Sequence, residues 1–263
     1  MDWIQINRCN LPPWAVASHH FDEHPRPLEL AGVAHANAAL FRLLDGLDDP
    51  DARGRAFDDW MSVRFQLHHW QDQATPGARR SLRNSYLRFL RGWGMDASSV
   101  EGAVLKGWVE SRIGIPPRFH HAPLVERAGE AWARYEAEKT RGHAFTSAID
   151  AQLDLVYAFT QYELRRRAPG VERVTLWRGQ DAPGPDEIVD ALGPREWIVR
   201  TNNVLSFTDD RERAWEVGSC VLEVTVAVAR VFFAGHLLPR SVLRGEREHL
   251  LIGGALRARR VLG

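Results

Sequence analysis

The period of the hydrophobic pattern changes near Pro169, and that change constrains the fold more than any other feature of the chain. From Val33 to about Arg167, apolar residues recur three and four apart, the spacing of a helix face. Leu40, Phe41, Leu44 and Leu47 form one stripe; Phe57, Trp60, Met61, Arg64 and Phe65 form a second. A third helix is expected through Leu82, Tyr86, Phe89 and Leu90, stopping at Gly92-Trp93-Gly94. Ser98 or Ser99 caps the next, which carries Val104, Leu105 and Trp108. The GIPP stretch at 114–117 is a break. Two more helices are expected around residues 122–140 and 146–167, the second with Ile149, Leu153, Val156, Tyr157 and Thr160 at helical spacing. After Pro169 the period is two. Val174, Leu176 and Arg178 share a strand face, as do Val204, Ser206 and Thr208, and then Cys220, Leu222, Val224, Val226 and Val228. Glu248–Ile252 and Leu256–Leu262 complete a sheet. Helices first and strands later predict an α+β fold rather than βαβ units. The expected division is an extended Pro- and His-rich arm at 1–30, a helical region at 31–168 and a β-rich region at 169–263, packed as one unit.

The totals exclude several classes. Lys plus Arg and Asp plus Glu each count 34, so the formal charge is zero, which argues against a dedicated nucleic-acid binder. Cys9 and Cys220 form neither a disulfide framework nor a metal spacing, which points to reduced thiols in the cytoplasm. The N-terminus is too polar for a signal peptide, and no apolar run has membrane-spanning length.

Some motifs lose to simpler readings. GWGMDA at 92–97 fits a loose dinucleotide pattern, but it follows a helix, and no acid stands about 20 residues on. Helix C-capping is the expected role of its glycines. His20 and His24 have i, i+4 spacing, but Pro25 and Pro27 follow and no third ligand is evident. His68-His69 and His120-His121 point different ways on any regular element, which favours packing or solvent-facing roles. No metal site is expected.

The C-terminal strands carry more chemistry. Arg178 continues an apolar face before Gly179 ends the strand, so it must either reach water or meet an anion. Ser206 and Thr208 present paired hydroxyls, and Asp209 with Glu212 reads as the cap of a short helix. In RGEREHLLIGG, Glu246 and Glu248 continue the face of Leu250 and Ile252, so two acids look into a cleft and call for a cationic partner.

The ordered trio Arg178, Ser206 and Glu248, with its strand context, resembles the arginine-serine-glutamate signature of mono-ADP-ribosyltransferases. Glu246-Arg247-Glu248 is similar to the glutamate-x-glutamate form associated with arginine acceptors, while Ser206-Phe207-Thr208 departs from the usual serine-threonine-serine. A closer resemblance covers nearly the whole chain. The stretches NLPPWAVASHHFDEHPRPLELAGV, LWRG, NNVLSFT and LLPRSVLRGEREHLLIGG are similar to the NAD-dependent dinitrogenase-reductase ADP-ribosyltransferases. That resemblance implies modification of an arginine on the iron protein of nitrogenase (dinitrogenase reductase), and partnership with that protein and with PII-type nitrogen signalling proteins.

It also implies roles. Arg178, beside Gly179, would bind the pyrophosphate of NAD through its guanidinium fork. Glu248 would bond the ribose 2′-hydroxyl and face the developing sugar cation. Ser206 would brace Glu248 or the nicotinamide ribose, with Thr208 next to it. Glu246 would orient or deprotonate the arriving arginine. Asn202 and Asn203 either contact NAD or serve as turn residues. NAD is consumed as a substrate, and the chemistry requires no metal. The rivals are an NAD glycohydrolase, an arginine ADP-ribosyltransferase with another acceptor, a nucleotide-binding adaptor and a glycosidase. The last suits the residues poorly, because glycosidase carboxylates flank the scissile bond from opposite sides.

Overall fold

A computed structural model describes residues 7–67, 85–144, 148–238 and 247–262. His68, His69, Leu82 and Glu246 lie outside the described residues. The described helices are α1 (Pro13–Val16), α2 (His20–Glu23), α3 (Val33–Ala36), α4 (Ala38–Asp45), α5 (Pro50–Arg64), α6 (Tyr86–Met95) and α7 (Val100–Arg112). A two-stranded hairpin, β1 (Phe119–His120) and β2 (Ala122–Pro123), precedes α8 (Glu130–Ala144) and α9 (Ile149–Arg167). The remainder is β3 (Arg173–Gln180), β4 (Ile188–Gly193), β5 (Glu196–Arg200), β6 (Val204–Thr208), α10 (Arg211–Val217), β7 (Cys220–Ala227), β8 (Val231–Ala234), β9 (Glu248–Ile252) and β10 (Ala255–Val261). Helices first and an antiparallel sheet afterwards make the chain α+β, as the change of period predicts.

The eight strands β3 to β10 form one sheet in the order β4-β5-β10-β7-β3-β6-β9-β8. β3 and β7 pair along their whole length, from Arg173 opposite Ala227 to Gln180 opposite Cys220. β6 and β9 pair from Val204 opposite Ile252 to Thr208 opposite Glu248. Between β3 and β6, by contrast, only Trp177 and Thr208 are in register. The sheet is therefore two ladders that diverge along a seam, and the side chains bordering that seam build the candidate site.

The central helix is α9. Leu153, Val156, Tyr157 and Phe159 are all buried, in a core continuous with Val224, Leu250 and Ile252 of the sheet. Phe159 stacks on Phe57 with centroids 4.1 Å apart, and Trp108 of α7 meets Phe232 of β8 at 4.7 Å. Burying this much aromatic surface on both sides of the helix–sheet boundary contributes about 25 cal/mol per Å². Gln161 donates to the carbonyls of Val228 and Val231, so the backbone where β7 turns into β8 is satisfied by a helix side chain.

Several local expectations need correction. Gly92 and Gly94 lie inside α6 and do not cap it; a Cβ on Gly92 would stand 2.5 Å from Glu101 Cβ, so the glycine lets α6 close against α7. Of the two serines that could cap α7, Ser99 does so, its hydroxyl accepting from Gly102 N at 3.1 Å. The helix expected at 122–140 starts at Glu130, because Ala122 and Pro123 are spent on the hairpin. Asp210 rather than Asp209 caps α10, taking the amides of Glu212 and Arg213. Strands β4, β5 and β8 have no counterpart in the expected pattern.

Within the N-terminal stretch read as extended, Pro13 stands at the first turn of α1, where its missing N–H costs nothing. Asp22 of α2 is buried, and its Oδ1 lies 2.7 Å from Arg230 Nε while accepting Ala227 N at 2.9 Å. Arg230 is fully buried and also donates to the carbonyls of Ser18, Ile252 and Gly253. An arginine with that many acceptors ties the Ser18–Asp22 segment to the sheet.

Candidate active site

A cleft of about 620 Å³ opens where α6 meets the sheet, and Trp93, Arg178, Ser206, Leu222 and Glu248 all line it. A second recess of about 310 Å³ continues past Gly179, Thr208 and Glu248 toward α10. Arg178, Ser206 and Glu248, far apart in sequence, are thus brought to one place by strand order.

Arg178 sits opposite Leu222 on the β3–β7 ladder, on the face of Leu176 and Val174, as the alternation predicts. Its Nη1 donates to the Ser206 carbonyl at 2.7 Å and its Nε to Gln180 Oε1 at 3.0 Å. The first of these spans the seam and stands in for a missing backbone rung. Burial lowers the guanidinium's pKa, against the pull of Glu187 and Glu248. A cation desolvated in this way gains from an anionic ligand. Gly179 follows because no side chain fits: a Cβ there would lie 1.8 Å from Ala214 O of α10.

Glu248 is 8% exposed and begins β9 opposite Thr208. Ser206, opposite Leu250, is therefore its diagonal neighbour on the same face. The Ser206 hydroxyl donates to Glu248 Oε1 at 2.5 Å, a short charge-assisted bond. The residue before the glutamate, Arg247, has φ 51°, a left-handed value uncommon for a non-glycine residue. Its side chain is held by Asp209, Nε to Oδ1 at 2.6 Å, which explains that aspartate better than a helix cap does. Thr208 Oγ1 accepts Asp210 N at 3.1 Å, so its hydroxyl braces the β6–α10 turn.

Of the paired asparagines, Asn202 lines the cleft and Asn203 does not. Asn203 is buried, with Nδ2 donating to the carbonyls of Lys106 and Ile115. The NAD contact expected at Asn203 therefore gives way to a structural tie between β6 and α7. Gln180 and Lys106 line the cleft without having been singled out. Lys106 is 1% exposed, donates to Phe119 O at 2.9 Å and meets His120 Nδ1 at 3.2 Å; burial brings its pKa down to about 8. Trp93, in the stretch read as a helix end, donates from Nε1 to Ser206 Oγ at 2.8 Å. Only the separation of 113 residues hid it, since no local pattern reports such a contact.

His20 pairs with Glu23 at 2.7 Å rather than with His24. His120 and His121 do converge, both ring Nε2 atoms reaching Glu138 Oε2, at 2.8 and 3.2 Å. No described helix is long and apolar enough to cross a membrane.

An arginine, a hydroxyl and a glutamate around a cleft at a split antiparallel sheet form the layout expected of a mono-ADP-ribosyltransferase. The comparisons with known proteins agree: the chain belongs to the family described as Dinitrogenase reductase ADP-ribosyltransferase (DRAT), whose sequence profile matches residues 6–260. It is 39% identical over 252 residues, 94% of this chain and 91% of the other, to the NAD(+)--dinitrogen-reductase ADP-D-ribosyltransferase of Rhodospirillum rubrum. No solved structure matches it.

Proposed function

We propose that this protein transfers ADP-ribose from NAD to an arginine of dinitrogenase reductase, releasing nicotinamide and inactivating nitrogenase. The Ser206–Glu248 hydrogen bond, in a cleft shared with Arg178, is the observation that carries the reading.

The chemistry follows from those groups. Arg178 binds the pyrophosphate, and its bond to the Ser206 carbonyl fixes the fork relative to Glu248. The bond between nicotinamide nitrogen and ribose C1′ breaks with its electron pair leaving on nicotinamide, and positive charge spreads over the ribose. Glu248 Oε2 accepts the 2′-hydroxyl and opposes that charge, while Oε1 stays on Ser206. A guanidinium nitrogen of the acceptor then bonds to C1′ and gives up a proton. Glu246, two residues before Glu248 in the sequence, is assigned to orient that guanidinium and take the proton.

The family's name and the 39% relative support the acceptor. A PII-type signalling partner and a cytoplasmic location complete the proposal, on the resemblance stated above. The test is to incubate purified protein with adenylate-labelled NAD and dinitrogenase reductase. Label appearing on one arginine of the iron protein, with loss of nitrogenase activity, is expected. Nicotinamide release at the same rate with and without the iron protein would instead mark a glycohydrolase, and NAD binding without turnover an adaptor.

A further inference from the structure

We propose that Trp93, contributed by the helical region, is a positioning residue for Glu248 and acts through Ser206. The inference rests on the reading of Glu248 as the group facing the ribosyl cation.

The argument is one of proton inventory. An indole nitrogen is a donor only, and a serine hydroxyl has a single proton. Trp93 Nε1 lies 2.8 Å from Ser206 Oγ, so that oxygen is the acceptor. The hydroxyl proton then has one strong acceptor, Glu248 Oε1 at 2.5 Å. The indole thereby sets the direction of the bond that orients the carboxylate. Without the indole, Ser206 Oγ can accept from water or rotate, and Glu248 loses a fixed partner.

Trp93 is itself held firmly. It is 4% exposed, and the Lys106 ammonium sits 5.9 Å from its ring centroid. Lys106 is pinned by Phe119 O and by His120, which donates in turn to Glu138. Two charged or ionisable side chains and one imidazole, all from the helical half and its hairpin, thus back a ring whose polar edge points at the catalytic strand. A buried indole N–H needs an acceptor, and here the acceptor is the one hydroxyl that holds Glu248.

The test is a double-mutant cycle on purified full-length protein. Trp93→Phe keeps the apolar bulk and deletes the donor. It should lower the turnover rate about tenfold, the effect of one well-placed hydrogen bond, and leave KM for NAD within about twofold. On a Ser206→Ala background the same change should have no further effect. An equal fall on both backgrounds, or full turnover in Trp93→Phe, would overturn the proposal. Should Trp93→Phe fail to fold, benzothienyl-alanine introduced at position 93 keeps the ring outline with sulfur replacing N–H, and carries the same two expectations.

The indole N–H resonance separates this proposal from the function. If the wild-type protein neither transfers nor hydrolyses, the enzymatic reading has failed. The proposal is then judged by the spectrum alone. A downfield Trp93 indole proton that moves upfield in Ser206→Ala supports it, and an unmoved resonance overturns it.

Discussion

Glu248 and Glu246 stand one residue apart, and their proposed roles divide by partner. Glu248 is buried, bonded to Ser206 and set at the edge of the cleft, so it suits a cation generated inside the site. Glu248→Gln keeps the size and removes the charge; it should abolish both arginine transfer and background NAD hydrolysis, by roughly 100- to 1,000-fold in turnover. Glu246→Gln should lose arginine transfer while retaining NAD binding and some hydrolysis. Nicotinamide release measured with and without acceptor reads the split. Equal, complete loss of both activities in two folded variants would sink the separate assignments. The glutamate and the serine were legible in the sequence because strand alternation shows which face a residue takes. Their partnership was not, since it needs the register in which Thr208 meets Glu248. Asp209 and Asn203 show the complementary failure. Both carry turn or cap chemistry by type, yet the fold uses one to hold Arg247 and the other to bind two carbonyls.

At the scale of elements, two close approaches set the walls of the cleft. The seven-residue α10 lies so near β3 that Gly179 has no room for a methyl group. Gly179→Ala must push α10 away from the strand that carries Arg178. That overpacking should cost about 1–3 kcal/mol and lower Tm by about 2–10 °C, and calorimetry on the variant reads it; an unchanged Tm would show that α10 yields freely. The other wall is backed by α8. Burial opposes ionisation of Glu138, but the hydrogen bonds from His120, Arg134 and His121 outweigh it and hold the carboxyl at about 2, below the ordinary 4.5 of a glutamate. A depressed carboxylate stabilises the fold above its unfolded pKa and loses that contribution as pH falls through the folded value. The Tm gap between wild type and Glu138→Gln should therefore be full above pH 5 and close steadily toward pH 2. A gap independent of pH would place the contribution elsewhere. The six helices named from the 3.6-residue period have counterparts among the described elements, because apolar residues three and four apart are what a helix needs to reach the core, even where α7 is buried nearly all round. β4 escaped notice because its residues are mostly exposed or half-buried and it sits at the sheet edge, so nothing forces an apolar alternation on it.

On the scale of the molecule, the helical half and the sheet share one core, and the site is assembled from both. Arg178, Ser206 and Glu248 come from the sheet, Trp93 and Lys106 from the helices. The fully buried Arg230, with its bonds to Asp22 and to the backbone carbonyls of Ser18, Ile252 and Gly253, anchors the Ser18–Asp22 segment to the β9–β10 turn. None of these long-range ties leaves a local trace, whereas the α+β class did, in the abrupt switch of hydrophobic period. The seam between β3 and β6 has a mechanical consequence. Two strand ladders that meet along this seam through one register pair and one arginine should breathe there more freely than other neighbouring strands. A dinucleotide bound as proposed, phosphates on one ladder and ribose on the other, would act as a splint. With a non-hydrolysable NAD analogue at saturation, amide hydrogen exchange should slow more than tenfold at residues 176–180 and 204–208 while β10 changes little. Uniform slowing, or none at the joint, would show that the ladders are already rigid. Slowing confined to the joint would mean that substrate binding completes the sheet as well as filling the cleft.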